Sequence, residues 1–229
     1  MKRILTTLSQ KWPEYLLEMI VITAGIIGAF ALNNWNERSI SLNKEKLLLK
    51  AVHEEFTENR IQFQEVIQSH RGVFASTTWI LDHMPYDQKS NMDSVDMHFW
   101  GTFKTLTFNP SSSSIKSIIS TGSLDVVRNE ELRNLIVKWE DELLDYQEEE
   151  TLARNFHWGE YFSEWRSMID LDLFGNSPLD YQVLNTRIAK NLILQRSYHF
   201  KVILGDGELE AIEGTMDRII ELTAEKAEK

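Results

Sequence analysis

Hydrophobic and polar positions change their rhythm along this chain of 229 residues. From Tyr15 to Leu32 the residues are apolar almost without interruption, and Asn33-Asn34-Trp35-Asn36-Glu37 follows at once. At 1.5 Å per residue a helix over this run reaches roughly 27 Å, close to the ~30 Å of hydrocarbon in a bilayer. A transmembrane helix is expected there. Beyond Glu37 the continuous run gives way to a stripe. Leu49, Val52, Phe56, Asn59, Phe63, Val66, His70, Val73, Thr77 and Ile80 recur at steps of three and four, the spacing of one buried helix face. This second helix, either continuous with the membrane run or following it, should end near Met84-Pro85. Polar Asn59 and His70 within the stripe either fix register, pair across the seam or simply pack.

Met84 to Asn91 reads as a loop, with Pro85 as breaker and Ser, Asn and Asp as turn formers. Asp93 to Phe108 is rich in aromatics and predicts a short helix, with a strand over Thr105 to Phe108 as the alternative. Asn109-Pro110 and the serines to Ser114 stop it and offer hydroxyl caps to a helix from Ile115 to about Ser120, closed by Gly122. Asn129 caps a helix from Glu130 that should bury Leu132, Leu135, Trp139, Leu143, Tyr146, Ala153 and Phe156. Its opposite face, with Glu140, Asp141, Glu142, Glu148, Glu149 and Glu150, is expected to be solvated. Trp158, Tyr161, Phe162 and Trp165 fall at helical spacing as core or as a lid on the bundle. Leu173 to Pro178 breaks the chain. From Leu179 a last pattern runs through Leu184, Ile188, Asn191, Gln195, Tyr198, Val202, Gly205, Leu209, Ile212, Met216 and Ile219. It predicts one long helix weakened at Gly205, with a kink or short loop there as the alternative.

These elements predict an all-α protein: a short basic tail over 1–14, a transmembrane helix over 15–32 and an antiparallel helical bundle with long coiled-coil-like helices over 33–229. Composition agrees, since only 4 Pro and 10 Gly interrupt the helices. A net charge of -11 would repel a phosphate backbone, which argues against nucleic acid as a partner. The absence of Cys removes disulfides, thiolate nucleophiles and thiolate metal sites.

Trp12, Tyr15 and Trp35 sit where interfacial aromatics anchor a spanning helix. A cleaved leader ending at Ala29-Phe30-Ala31 is the competing reading, opposed by Glu14 and Glu18 inside the run and by its length. Lys2, Arg3 and Lys11 on one side nearly balance Arg38, Lys44, Lys46 and Lys50 on the other. The basic tail before a first apolar segment favours a cytoplasmic amino terminus in a bacterial inner membrane, with the bundle in the periplasm. Glu18 and Gly25 share a face, and Ala24/Gly28 and Gly25/Ala29 form overlapping small-xxx-small steps that let backbones approach. Self-association through Glu18, Ala24, Gly25, Gly28 and Ala29 is expected. For Glu18 the alternatives are snorkelling or protonation, with a proton relay behind both.

Two stretches, Ala24 to Glu37 with its Asn-Asn-Trp-Asn-Glu ending, and Ile115 to Arg133 with Ser-Thr-Gly-Ser-Leu-Asp-Val-Val-Arg-Asn-Glu-Glu-Leu, resemble a known group. It is a family of uncharacterised single-pass membrane proteins of Gram-negative bacteria, defined as a domain of unknown function. Thr121 before Gly122 and Val127 before Arg128 depart from its pattern. The resemblance implies the anchor and the helical architecture and carries no activity or site residue.

Catalytic patterns do not emerge. His53, His70, His83, His98, His157 and His199 include no His-Glu-x-x-His pair, and Ser111 to Ser114 has no nucleophile elbow around it. No catalytic, cofactor or metal site is expected, so the chain reads as non-enzymatic. The expectation is an interaction or sensory subunit of a membrane-associated complex, partnered by the lipid bilayer and by itself or other membrane proteins. Ligands or partners would meet the loops at Met84 to Asn91 and Asn109 to Ser114. A self-associating envelope scaffold, or an enzyme with an unrecognised site, are the alternatives.

Overall fold

A computed structural model describes the backbone of residues 2–170, 179–205 and 207–227, with side chains from Trp12 to residue 224 within those ranges. The described secondary structure is helical throughout: α1 Lys2–Asp82, α2 Met92–Gly101, α3 Ser113–Ser120, α4 Glu130–Phe156, α5 Phe162–Met168, α6 Tyr181–Leu184, α7 Arg187–Gly205 and α8 Gly207–Ala227. A 3₁₀ turn, Ser123–Val126, follows α3, and a π turn, His157–Tyr161, joins α4 to α5. Packing divides the chain into two units, Met1–Leu48 and Leu49–Lys229. Residues 33–48, grouped with the bundle from sequence, fall in the first.

In the first unit every described side chain from Trp12 to Arg38 is exposed. Its helix contains a segment long and apolar enough to cross a membrane, none of it buried. Pro13 lies within the helix. Past the apolar run, Asn33 Nδ2 donates to Glu37 Oε1 at 2.8 Å, a bond between neighbouring turns.

The second unit is built on the α1 stripe, and all ten of its positions from Leu49 to Ile80 are buried. Ring contacts set the directions. Phe56 meets Trp139 at 4.7 Å and Phe63 meets Tyr146 at 5.4 Å, so α1 and α4 run the same way. His53 instead reaches Thr223, Arg60 pairs with Glu213 and Asp217, and His70 lies 5.2 Å from Phe200, so α8 and α7 run opposite to both. The bundle is thus antiparallel between α1 and its last helices. Parallel α1 and α4 require the chain between them to travel back along the bundle, and residues 83–129 do so.

Several expectations are refined. The stripe on α8 is in place, with Leu209, Ile212, Met216 and Ile219 buried, but on α7 it is one residue out of register. Ala189, Leu192, Ile193, Arg196, Phe200 and Ile203 face inward, while Ile188 and Tyr198 are exposed. Arg196 occupies a core position, and its charge disguises the true phase. The long last helix does not run unbroken from Leu179: Asn185 and Thr186 separate α6 from α7, and α8 starts at Gly207. Asp206 and the expected break from Leu173 to Pro178 lie outside the described residues. On α4, Ile136 is buried where Leu135 and Leu143 are half-buried. The π turn shifts the helical phase by one residue. Tyr161 and Trp165 therefore enter the core while Trp158 stays exposed.

Two caps behave as the residue types require. Asn129 Oδ1 accepts the Leu132 amide at 3.0 Å at the start of α4, and Gly122 adopts a left-handed φ of 63° after α3. The start of α3 does not use its serine hydroxyls as caps. The Glu55 carboxylate of α1 accepts the Ser114 amide at 3.1 Å together with the hydroxyls of Ser111 and Ser113, which hold its pKa below the usual value against partial burial.

Candidate functional site: a side-chain clasp on an extended strap

Thr102 to Ser112 connects α2 to α3 largely without regular structure, where the sequence left open a helix or a strand. It opens with a turn at Thr102 and Phe103, is neither helix nor ladder strand from Lys104 on, and pairs with no strand among the described residues. Where backbone is withdrawn from water its amides and carbonyls must find partners, and on this partly buried segment side chains from three helices supply them. Arg196 of α7 donates Nε to the Thr102 carbonyl at 3.2 Å and Nη2 to the Lys104 carbonyl at 2.9 Å. His70 of α1 meets the Leu106 carbonyl through Nε2 at 2.8 Å. On α4, Glu150 accepts the Phe108 amide at 2.8 Å and Gln147 donates to the Phe108 carbonyl at 2.7 Å. Asn59 closes the series, donating to the Ser111 carbonyl at 2.7 Å and accepting its amide at 2.9 Å.

Beyond the turn at Thr102 the bonded positions 104, 106 and 108 alternate, the spacing of a chain that turns one edge to the helices. The loop from Met84 to Asn91 is fastened by the same device. Asn185 accepts the Tyr86 amide at 2.8 Å and donates to the Tyr86 carbonyl at 2.8 Å. Tyr86 is itself buried, with its hydroxyl on the Ile80 carbonyl. Both loops offered from sequence as partner-facing are thus tied inward through their backbones.

At the centre of the clasp sits a buried group of ionisable side chains. His70 Nε2 and Glu150 Oε1 are 3.5 Å apart on two buried side chains, and the Tyr146 hydroxyl donates to Glu150 at 3.1 Å. Burial pushes the Glu150 carboxyl up to about 7, opposed by the Phe108 amide and the Tyr146 hydroxyl. Burial pushes His70 down to about 4, so the ring is neutral, carries its proton on Nε2 toward Leu106, and leaves Nδ1 buried without a partner. Arg196 is fully buried, and burial lowers it to about 10. It adds a third carbonyl, that of Ala153 at 3.2 Å, and lies 4.7 Å over the Phe200 ring. Its positive charge is spread over backbone dipoles and an aromatic face. His157, also buried, is held down to about 4 by burial and by Arg196.

Chemically this arrangement grips peptide groups. The cavity between His70, Glu150, Arg196 and Phe200 measures about 10 Å³, the space of a single water. The histidines do not converge: His53 bonds Thr223, His83 and His98 stack on Trp79 at 4.0 and 4.3 Å, and His199 lies 5.1 Å from Phe156. Among the described residues no three His, Asp or Glu side chains come together as a metal site.

Glu150 was grouped from sequence with the solvated acidic face and is instead 3 % exposed. Its position was readable, because Ile136, Leu143 and Glu150 are seven apart on the inward side of α4. Arg196 carried the same signal, seven residues from both Ala189 and Ile203 on the inward side of α7.

The residues expected to act in the membrane, Glu18, Ala24, Gly25, Gly28 and Ala29, are exposed, as are Trp12, Tyr15 and Trp35. A methyl group added at Gly25 or Gly28 would meet open space. At about 100° per residue, Glu18, Gly25 and Ala29 fall within roughly 40° of one another around the helix, with Gly28 and Ala24 on the same flank. Comparison with protein-family models, curated proteins and solved structures gives no match.

Proposed function

We propose that the chain is a membrane-anchored, non-enzymatic helical protein that serves as an interaction or sensory subunit of a membrane-associated complex. The observation that carries this reading is the apolar run from Tyr15 to Leu32, exposed on all sides. Apolar surface on every face of a helix needs lipid or protein around it. In this proposal the helix crosses a bacterial inner membrane, Trp12, Tyr15 and Trp35 lie at its interfaces, the amino terminus is cytoplasmic and the bundle is periplasmic. The resemblance to the family of single-pass membrane proteins points the same way. The clasp, with its space for one water, supports a holding role over turnover.

The test has two readouts on the full chain. Alkaline carbonate should leave it in the membrane pellet, and affinity purification in mild detergent should bring membrane subunits down in fixed ratio. Release of full-length protein by carbonate would remove the anchor. Purification of a lone chain that converts a substrate would replace the subunit with an enzyme. A reporter after Lys229 should be active only if it functions in the periplasm.

A self-associating scaffold is the second reading, favoured by the open space at Gly25 and Gly28. Gly25→Leu with Gly28→Leu should then lower the anchor's dimer signal in a membrane two-hybrid assay, and an unchanged signal removes this reading.

A further inference from the structure

The helices α4 and α7 pack through their inner faces, where Arg196 reaches the Ala153 carbonyl. Each also has an exposed outer face, that of α4 bordered at Glu140 and Leu144 by Lys116 and Ile119 of α3, and the two helix faces are chemically opposite. In a chain of net charge -11, α7 carries Arg187, Lys190, Arg196 and Lys201 and no acidic residue. With Arg196 buried, the other three are exposed around Ile188, Leu194 and Tyr198, which are 54 %, 54 % and 63 % exposed. A shallow depression of about 680 Å³ lies along this face, lined by Asn191, Leu194, Gln195, Ser197, Tyr198 and Lys201.

On α4, Val137, Leu144 and Leu152 are 54 %, 59 % and 48 % exposed, and exposed Glu140, Asp141, Asp145 and Glu148 surround them. At 1.5 Å per residue the apolar line on α4 runs about 22 Å and the face on α7 from Ile188 to Lys201 about 20 Å. Two faces of similar length, each with an apolar centre, carry charges of opposite sign.

We propose that a second copy of this chain docks the acidic outer face of its α4 on the basic outer face of α7. The pairing cannot close within one copy, because both faces point away from the inner contact that α4 and α7 already share. It is heterologous: each copy offers one face and uses the other, so assembly grows into rings or rows. The apolar residues supply the attraction. The flanking charges contribute little individually, but they exclude α4 on α4, where like charges would meet, and so select the partner face.

The absence of Cys makes the test direct. Two tagged full-length copies, one Leu144→Cys and the other Leu194→Cys, are co-produced in membranes and treated with a short thiol cross-linker. A cross-link between the two tags is expected at least about fivefold above that between two Leu144→Cys copies. Lys190→Glu with Lys201→Glu in the α7 copy should abolish that excess. Asp141→Lys with Glu148→Lys in the α4 copy should restore it, a rescue that unfolding or anchor association cannot produce. Equal yields from the two pairings, or reversal without rescue, overturn the proposal. All six positions are exposed, and circular dichroism of each variant checks that its helices are retained.

Discussion

Trp12 to Arg38 and Leu49 to Ile80 belong to one helix and share one backbone geometry, yet their side chains meet opposite fates. Every described side chain of the first is exposed, while the ten stripe positions of the second are buried. The difference lies in how apolar residues are distributed. A stripe at steps of three and four covers one side of a helix and is satisfied by a few neighbouring helices. A run apolar on all sides needs lipid or protein all round it. Asn59 and His70 show what the stripe tolerates: a polar residue at a core position is accepted where it completes the bonding of a neighbouring backbone.

The largest test of this contrast is Phe63→Ala. Phe63 is 1 % exposed between Phe108 and Tyr146, and the cavity should cost about 3–5 kcal/mol of bundle stability, read by denaturant titration of the full chain in detergent.

Next is a pH dependence that Glu150 and His70 pull in opposite directions. The Glu150 carboxyl is raised from 4.5 to about 7, so its contribution is fully present below 4.5 and is lost as pH rises through 7. His70 is lowered from 6.5 to about 4, so its contribution is present above 6.5 and is lost as pH falls through 4. Each limb is worth about 3 kcal/mol, so these two nearly cancel between pH 4 and 8, and the wild-type profile follows the remaining groups, among them His157 with an acid limb of its own. Relative to wild type, Glu150→Gln should deepen the loss on acidification by about 3 kcal/mol, and His70→Gln should lessen it by as much. Profiles parallel to wild type in both variants would show that these groups are hydrated in solution.

Asn59→Leu should cost about 1–2 kcal/mol, because the Ser111 amide and carbonyl lose both bonds and water replaces them only in part. Faster hydrogen exchange at Ser111 would register it directly. The smallest effect belongs to the other half of the comparison. Phe30→Ala, at a site 65 % exposed, should change bundle unfolding by less than about 0.5 kcal/mol. A larger loss would mean that side chains of the apolar run contribute to the folded bundle.

Periodicity and residue type made much of this protein legible. The apolar run, the whole α1 stripe, the Asn129 cap, the left-handed Gly122 and the helix end before Pro85 follow from short-range rules about spacing and backbone freedom. Those rules act within one helix or turn, so the chain alone suffices to apply them. The parallel course of α1 and α4, the strap and its clasp lay beyond them. Arg196 binds carbonyls 92 and 94 residues distant, and a charged residue at a core position reads as a surface residue until its partners are seen. For Glu150 the spacing marks the inward side of α4, but among acidic neighbours its charge reads as surface for the same reason. Hydrophobic spacing records which face of a helix leaves water. The bonding of a buried polar side chain depends on which distant backbone arrives beside it, and only the packed bundle decides that.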